Sequence, residues 1–278
     1  MKKIYLIILT ILAVSCQNNH KVMVRLTDNG DCIFENDRVA YRIYGAQSDI
    51  ISPGADIWVK AQGKLILNKW YKLSAKDPQY FYHNHTGKKE YPGKDCYNAQ
   101  SYSFNAGASV PIYQDSLVFP TQNFDKFEII ESTKSKVVFS LHYPQWTIGE
   151  NTVELTREIT LAANENYCTI DDEYDGDFYS LACLVGISTQ DVVDKNEGLD
   201  YIITWEKASD QSVESEDGMI GLGIVMPENY KMEYNEERHY AVAHFETVRG
   251  RKVSYAIGSC WSKGNIPSFD EWKKLVSY

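Results

Sequence analysis

The chain has 278 residues, 44% hydrophobic and 24% charged, a length and composition that can bury a sizeable core and that exclude wholesale disorder. Its 38 acidic side chains outnumber 28 basic ones, and the net charge of −10 excludes a nucleic-acid binder, which needs a basic face for phosphates. Neither a glycine-rich phosphate loop nor a Cys/His metal spacing is present, so no cofactor is expected.

The first segment reads as an address. Lys2 and Lys3 precede an apolar run, Ile4 to Val14, interrupted only by Thr10. Such a run is too short for a stable membrane span and matches a secretory signal. Its end, Ala13-Val14-Ser15-Cys16, resembles a bacterial lipoprotein signal, with Leu12 one place further from the cysteine than usual. That resemblance implies a signal peptide over 1–15, lipidation at Cys16 and a tether over 16–21. Acyl chains would then hold the protein on a membrane of the cell envelope, facing the outer membrane or the periplasm, without a spanning helix. The alternative is an ordinary cleaved signal.

From residue 22 onward, period-two alternation predicts strand after strand. The segments are 22–26, 38–44, 56–60, 100–104, 126–131, 136–143, 152–161, 166–174, 181–189, 199–206, 219–226, 239–247 and 252–260. The clearest is 152–161: Val153, Leu155, Ile159 and Leu161 share one face with Arg157, while the other face is all Thr and Glu. The stretch 74–98 is the longest predicted loop. Ser268 to Val276 is the best helix, with Ser268 and Glu271 at capping-box spacing. With no repeat and no linker, 22–278 reads as one all-β domain, a large antiparallel β-sandwich with a short C-terminal helix. Cys32, Cys96, Cys168, Cys183 and Cys260 are widely spaced and are expected as buried free thiols.

Several residues could carry chemistry. Read as one strand, Glu35 to Gly45 puts Asn36, Arg38, Arg42 and Tyr44 on one face, with the two arginines about 13 Å apart by strand rise. That face either grips a carboxylate in a groove or is a solvated face with salt bridges. Arg157, on an apolar face, either pairs with a buried acid or faces a ligand cleft. In the loop, His83 and His85 could form a metal pair but lack an evident third ligand; acid–base work by His83, beside Tyr82, is the stronger reading. His244 and Glu246 share a strand face, as a proton-transfer pair or as a hydrogen-bonded pair at a sheet rim. His142 points to solvent or to a groove. The run Asp171 to Asp177 lacks a full calcium-loop pattern and reads as a solvated acidic turn. Six tryptophans offer flat faces to sugar rings, although core packing is the default for each.

Four blocks together resemble a known family: Glu35 to Gly45 with Asp56-Ile57-Trp58-Val59-Lys60; Tyr82-His83 with Gly93-Lys94-Asp95-Cys96-Tyr97; Tyr255 to Trp261; and Phe269 to Trp272. It is a domain-of-unknown-function family of secreted or lipid-anchored proteins from bacterial polysaccharide-utilisation loci. Between Ser103 and Ala108 this chain has one glycine where the family has a richer run. The resemblance implies a mutarotase-like super-sandwich and an oligosaccharide or polysaccharide partner. Within that frame Trp58, Lys60, His142, Arg157 and Trp261 join Asn36 and Tyr44 as substrate-binding candidates. Tyr82, His83, Arg38, Arg42, His244 and Glu246 are the catalytic candidates. The leading reading is β-elimination on uronate-containing oligosaccharides. Alternatives are a glycoside hydrolase (with Glu246 and Asp95 as its carboxylates), a sugar epimerase, or a non-catalytic glycan-binding protein.

Overall fold

In a computed structural model, residues 20–61, 63–76, 93–208, 217–264 and 266–276 are described. The predicted leader, Cys16, Tyr82, His83 and His85 lie outside the described residues. Three antiparallel sheets make up the architecture. The first runs in chain order: β1 (Val22–Leu26), β2 (Cys32–Asn36), β3 (Ala40–Ile43), β4 (Asp56–Lys60) and β5 (Gly93–Asp95). The second contains β6 (Ala106–Tyr113), β7 (Ser116–Leu117), β12 (Ser180–Ser188), β16 (Lys231–Asn235) and β17 (Tyr240–Val248), in the order β16-β17-β12-β6-β7. The third has eight strands: β8 (Lys126–Ser132), β9 (Lys136–Ile148), β10 (Asn151–Ala162), β11 (Tyr167–Gly176), β13 (Val192–Glu197), β14 (Tyr201–Lys207), β15 (Met219–Val225) and β18 (Lys252–Trp261). Its order is β13-β14-β15-β18-β11-β10-β9-β8.

The two five-stranded sheets lie side by side on one face of the eight-stranded sheet. A bridge between Ala55 and Ala106 joins their edges. One continuous apolar cluster fills the space between the layers, from Phe34 and Tyr41 through Leu155 and Ile170 to Val185 and Ile224. The protein is therefore an all-β antiparallel sandwich with a short C-terminal helix. All five described cysteines are buried and free.

The alternation of 152–161 sets the inward face of β10: Val153, Leu155, Arg157, Ile159 and Leu161 are all buried. Arg157 does not face a ligand. It sits directly opposite Asp172 of β11 and pairs with it through Nε (2.8 Å) and Nη2 (2.7 Å). The Tyr255 hydroxyl and the Pro53 carbonyl accept two more of its hydrogens. A buried guanidinium keeps its charge only with such full pairing. The acidic run 171–177 is correspondingly corrected: it belongs mostly to β11, where Asp172 and Tyr174 point into the core while Asp171 and Asp175 point out.

Two helices cover outer sheet faces. α1 (Leu67–Ser74), which ends where the predicted loop begins and was not itself predicted, covers β2–β4 through Leu67 and Trp70. α2 (Phe269–Lys274) begins at Ser268, whose side chain accepts the Glu271 amide as the capping pattern predicts. Its Trp272 stacks on Tyr167 at 5.2 Å and lies over Gly221 and Gly223, where any Cβ would crowd the indole or Tyr167. Two other expectations change. Residues 100–104 form no strand, and the expected strand 38–44 is shortened because a tight turn at 37–39 separates β2 from β3.

Candidate functional site

Two polar regions merit comparison. The first is the outer face of the β1–β5 sheet, under α1. Glu35 and Lys60 are both buried there, with Lys60 Nζ donating to Glu35 Oε2 (2.7 Å) and to the Asn36 carbonyl (2.7 Å). Both Glu35 oxygens also accept amides at the start of α1, from Ile66 and Leu67 (2.9 Å each). A carboxylate thus caps the helix from another strand, where the orphan N–H groups and the dipole favour negative charge. Arg42 lies opposite Asp56, binds it at 2.6 Å, donates to the Tyr44 hydroxyl (3.0 Å), and stacks over Tyr44 and Trp58. Asp95, on β5 beside Trp58, is held well above its ordinary range by burial and by the neighbouring Asp56 charge.

This region corrects most of the predicted groove. Because of the turn at 37–39, Arg38 and Arg42 do not line one strand face. Arg38 donates to Asn166 (3.0 Å), while Asn36 spends its side chain on the Ala162 and Glu165 carbonyls and on the amides of residues 38 and 39. Lys60, Trp58 and Trp261 are core residues, and the Trp261 indole donates to the Asp217 carbonyl (2.7 Å). A side chain that is buried and hydrogen-bonded in this way offers no surface to a sugar. Tyr44 is buried at Asp56. Asp95 and Glu246 do not form a carboxylate pair: Asp95 is buried on β5, and Glu246 is exposed on β17. His244 contacts Glu233 of the adjacent strand (3.1 Å) rather than Glu246. His142 contacts Asp125 (2.6 Å) on the outer face of the eight-stranded sheet.

The second region is open. A cleft of about 660 Å³ lies against the β16-β17-β12-β6-β7 sheet at its Ser188–Tyr240 end. Five separate segments wall it, around residues 98–104, 117–119, 188–191, 207 and 238–240. Its aromatic wall is built edge to face: Phe104 contacts Tyr240 (5.5 Å) and Phe119 (6.1 Å), and Phe119 contacts Tyr102 (6.3 Å). Phe104 reaches the sheet only because residue 186 is glycine; a Cβ there would fall 2.2 Å from its ring. Asn105 holds the 100–105 loop by bonding both the amide and the carbonyl of Gln100. The Ser103 and Ser188 hydroxyls, 2.5 Å apart, tie that loop to β12.

Beside these bonded serines the cleft is lined by three basic side chains and by one carboxylate, Asp191. Arg238, His239 and Lys207 are exposed and line it, and among the described residues none has a carboxylate within ion-pair reach. Tyr102 and His239, from facing segments, both adopt left-handed backbone (φ 53° and 52°), a conformation that non-glycine residues enter at a cost. Tyr102 is 58% exposed, so its ring is free on one side. Sequence reading missed all of these residues. The one local signal is turn chemistry: the Asn235 side chain accepts the amide of Arg238 (2.9 Å), three residues on, in the turn that leads to residues 238–240.

The family model described as a domain of unknown function, DUF4861, matches residues 10–277. The chain belongs to the DUF4861 family. Another similar chain is the uncharacterized protein P7 of Formosa agariphila, 26% identical over 266 residues. That match covers 88% of this DUF4861 chain and 63% of P7, so the chain spans less than two thirds of its relative. Among solved structures, a GH36 α-galactosidase of Geobacillus stearothermophilus in complex with raffinose overlaps at a TM-score of 0.39 and 10% identity, over 87% of this chain and 41% of the enzyme. The 4-α-glucanotransferase of Thermococcus litoralis overlaps at 0.36 and 10%, over 88% and 40%. At such scores these two likenesses carry neither fold nor function to the DUF4861 chain.

Proposed function

We propose that this protein binds uronate-containing oligosaccharides in the cleft between Tyr102 and Tyr240 and acts on them there by β-elimination. The observation that carries the reading is the pairing of aromatic walls with Arg238 and Lys207, two cations lacking carboxylate partners among the described residues, in a chain of net charge −10. Aromatic faces suit the apolar side of a sugar ring. A guanidinium suits its carboxylate, and Asn98, Gln100 and Gln190 suit its hydroxyls.

Elimination needs three groups. A cation on the carboxylate stabilises the carbanionic transition state, and Arg238 or Lys207 takes that role. A base removes the proton beside the carboxylate, and His239 is the imidazole in the cleft. An acid protonates the departing glycosidic oxygen, and the Tyr102 or Tyr240 hydroxyl is available. The carbon–carbon double bond forms as the carbon–oxygen bond breaks. We also infer that the protein reaches the cell envelope and is anchored through Cys16; loss of acyl labelling in Cys16→Ser tests that point.

The test of function is a screen of the leaderless protein against uronate oligosaccharides, followed by ultraviolet absorbance and mass spectrometry. An absorbing, unsaturated product that disappears in Arg238→Ala and His239→Gln is the expected result. Products heavier by one water would replace elimination with hydrolysis. Binding without products would leave a glycan-binding protein, and the absence of both would sink the reading.

A further inference from the structure

We infer that Glu206 is a positioning residue of the cleft that couples the binding of an acidic sugar to the uptake of a proton. The inference rests on the cleft's being the binding site. Glu206 lies near the end of β14 on the inward face of its sheet, opposite Ile220, and is 2% exposed. One carboxyl oxygen accepts the Gln190 amide (2.8 Å), and the other accepts the Thr204 hydroxyl (2.6 Å). Gln190 and its neighbours Thr189 and Asp191 line the cleft. The Lys207 amide donates to the Asp191 carbonyl (3.0 Å), so the wall segment hangs from the end of β14 by two consecutive residues.

Among the described residues no cation balances this carboxyl within ion-pair reach. From the wall segment, Asp191 adds a like charge. From the segment after β5, Tyr97 faces it, and from β16, Tyr234; both phenols are raised in part by it. Lys195 of β13 sits over the Tyr234 ring (4.0 Å), and Glu236 adds negative charge beyond it. Its own neighbour Lys207 is exposed at the cleft. Burial accordingly pushes the carboxyl up to about 7. A uronate carboxylate entering the cleft adds negative charge in front of the wall. It disfavours ionised Glu206 further, so that ligand and proton bind together.

The test is a pH titration of the Gln190 backbone amide by nuclear magnetic resonance, on the full chain, with and without saturating glucuronate. Glu206→Gln retains an acceptor for that amide but cannot ionise, and His239→Gln removes the imidazole that lines the same cleft. The expected result is a midpoint near 7 in wild type and His239→Gln, raised by up to about one pH unit by glucuronate and absent in Glu206→Gln. A Gln190 amide that does not titrate, or that still titrates in Glu206→Gln, overturns the inference. A midpoint unmoved by glucuronate while cleft resonances shift overturns the coupling and leaves the binding site standing. Glucuronate that shifts no cleft resonance removes the binding site and the coupling together.

Discussion

The face under α1 and the cleft at the Ser188–Tyr240 end use the same side-chain chemistry with opposite results. Under α1, Lys60 meets Glu35 and Arg42 meets Asp56, each pair dry and hydrogen-bonded. In the cleft, Arg238 and Lys207 form no ion pair among the described residues, Asp191 shares the lining with them, and aromatic rings stand beside them. Paired, buried charge in the first region holds strands and helix together; the charge in the second is open to solvent and, on the proposed reading, to a ligand. The lesson is that burial and partners, not residue type, separate a structural cation from a binding one.

The comparison breaks first at Lys60. Lys60→Ala leaves Glu35 buried without its ammonium partner, and should cost about 3–5 kcal/mol in denaturant unfolding. Glucuronate affinity of the folded fraction should be unchanged. If instead the variant is as stable as wild type, the face under α1 is not the structural half of the comparison.

The next effect concerns the buried acid behind the cleft. Glu206 has an ordinary value of 4.5 and is raised to about 7 in the folded chain, so the fold holds its proton more tightly than the unfolded chain does. Its contribution to stability is present below pH 4.5 and is lost as pH rises through about 7. That loss should reach about 2–3 kcal/mol, and Glu206→Gln should flatten the pH dependence of unfolding across this window.

Arg238→Ala with Lys207→Ala should do the reverse of Lys60→Ala. Stability should stay within about 0.5 kcal/mol, because both side chains are exposed. Binding of uronate oligosaccharides should weaken roughly tenfold to a hundredfold in calorimetry, the worth of a charge-assisted hydrogen bond. Neutral oligosaccharides should bind as before. The smallest expected change is Tyr102→Ala. Losing one exposed ring should cost about 0.5–1.5 kcal/mol of affinity, and Tyr102→Phe should restore it.

The two regions were legible in the sequence to different degrees. Alternation located most of the strands and the buried face of β10, because side-chain direction along a strand depends only on position in the chain. Arg157 on that face already demanded a buried partner or a ligand. The short strands β5 and β7 gave too few residues for alternation to register, and β13 and β16 were also missed. β2 and β6 are buried almost throughout, so their runs do not alternate. Helix α1 is absent from the predicted elements, because its N-terminus is capped by Glu35, about thirty residues upstream, rather than by a local side chain.

What the sequence determined by itself is therefore the all-β class, the inward faces of the long strands, the free cysteines and the C-terminal helix with its Ser268 cap. Each follows from neighbours within a few positions. Only the tertiary structure decided that Asp172 is the partner of Arg157, that a turn divides the Glu35 to Gly45 stretch so that Arg42 pairs with Asp56 while Arg38 bonds Asn166, and that residues 102, 119, 190, 207 and 238–240 share a cleft. Those juxtapositions depend on strand order and register, for the cleft across about 140 residues of chain, which no local period encodes.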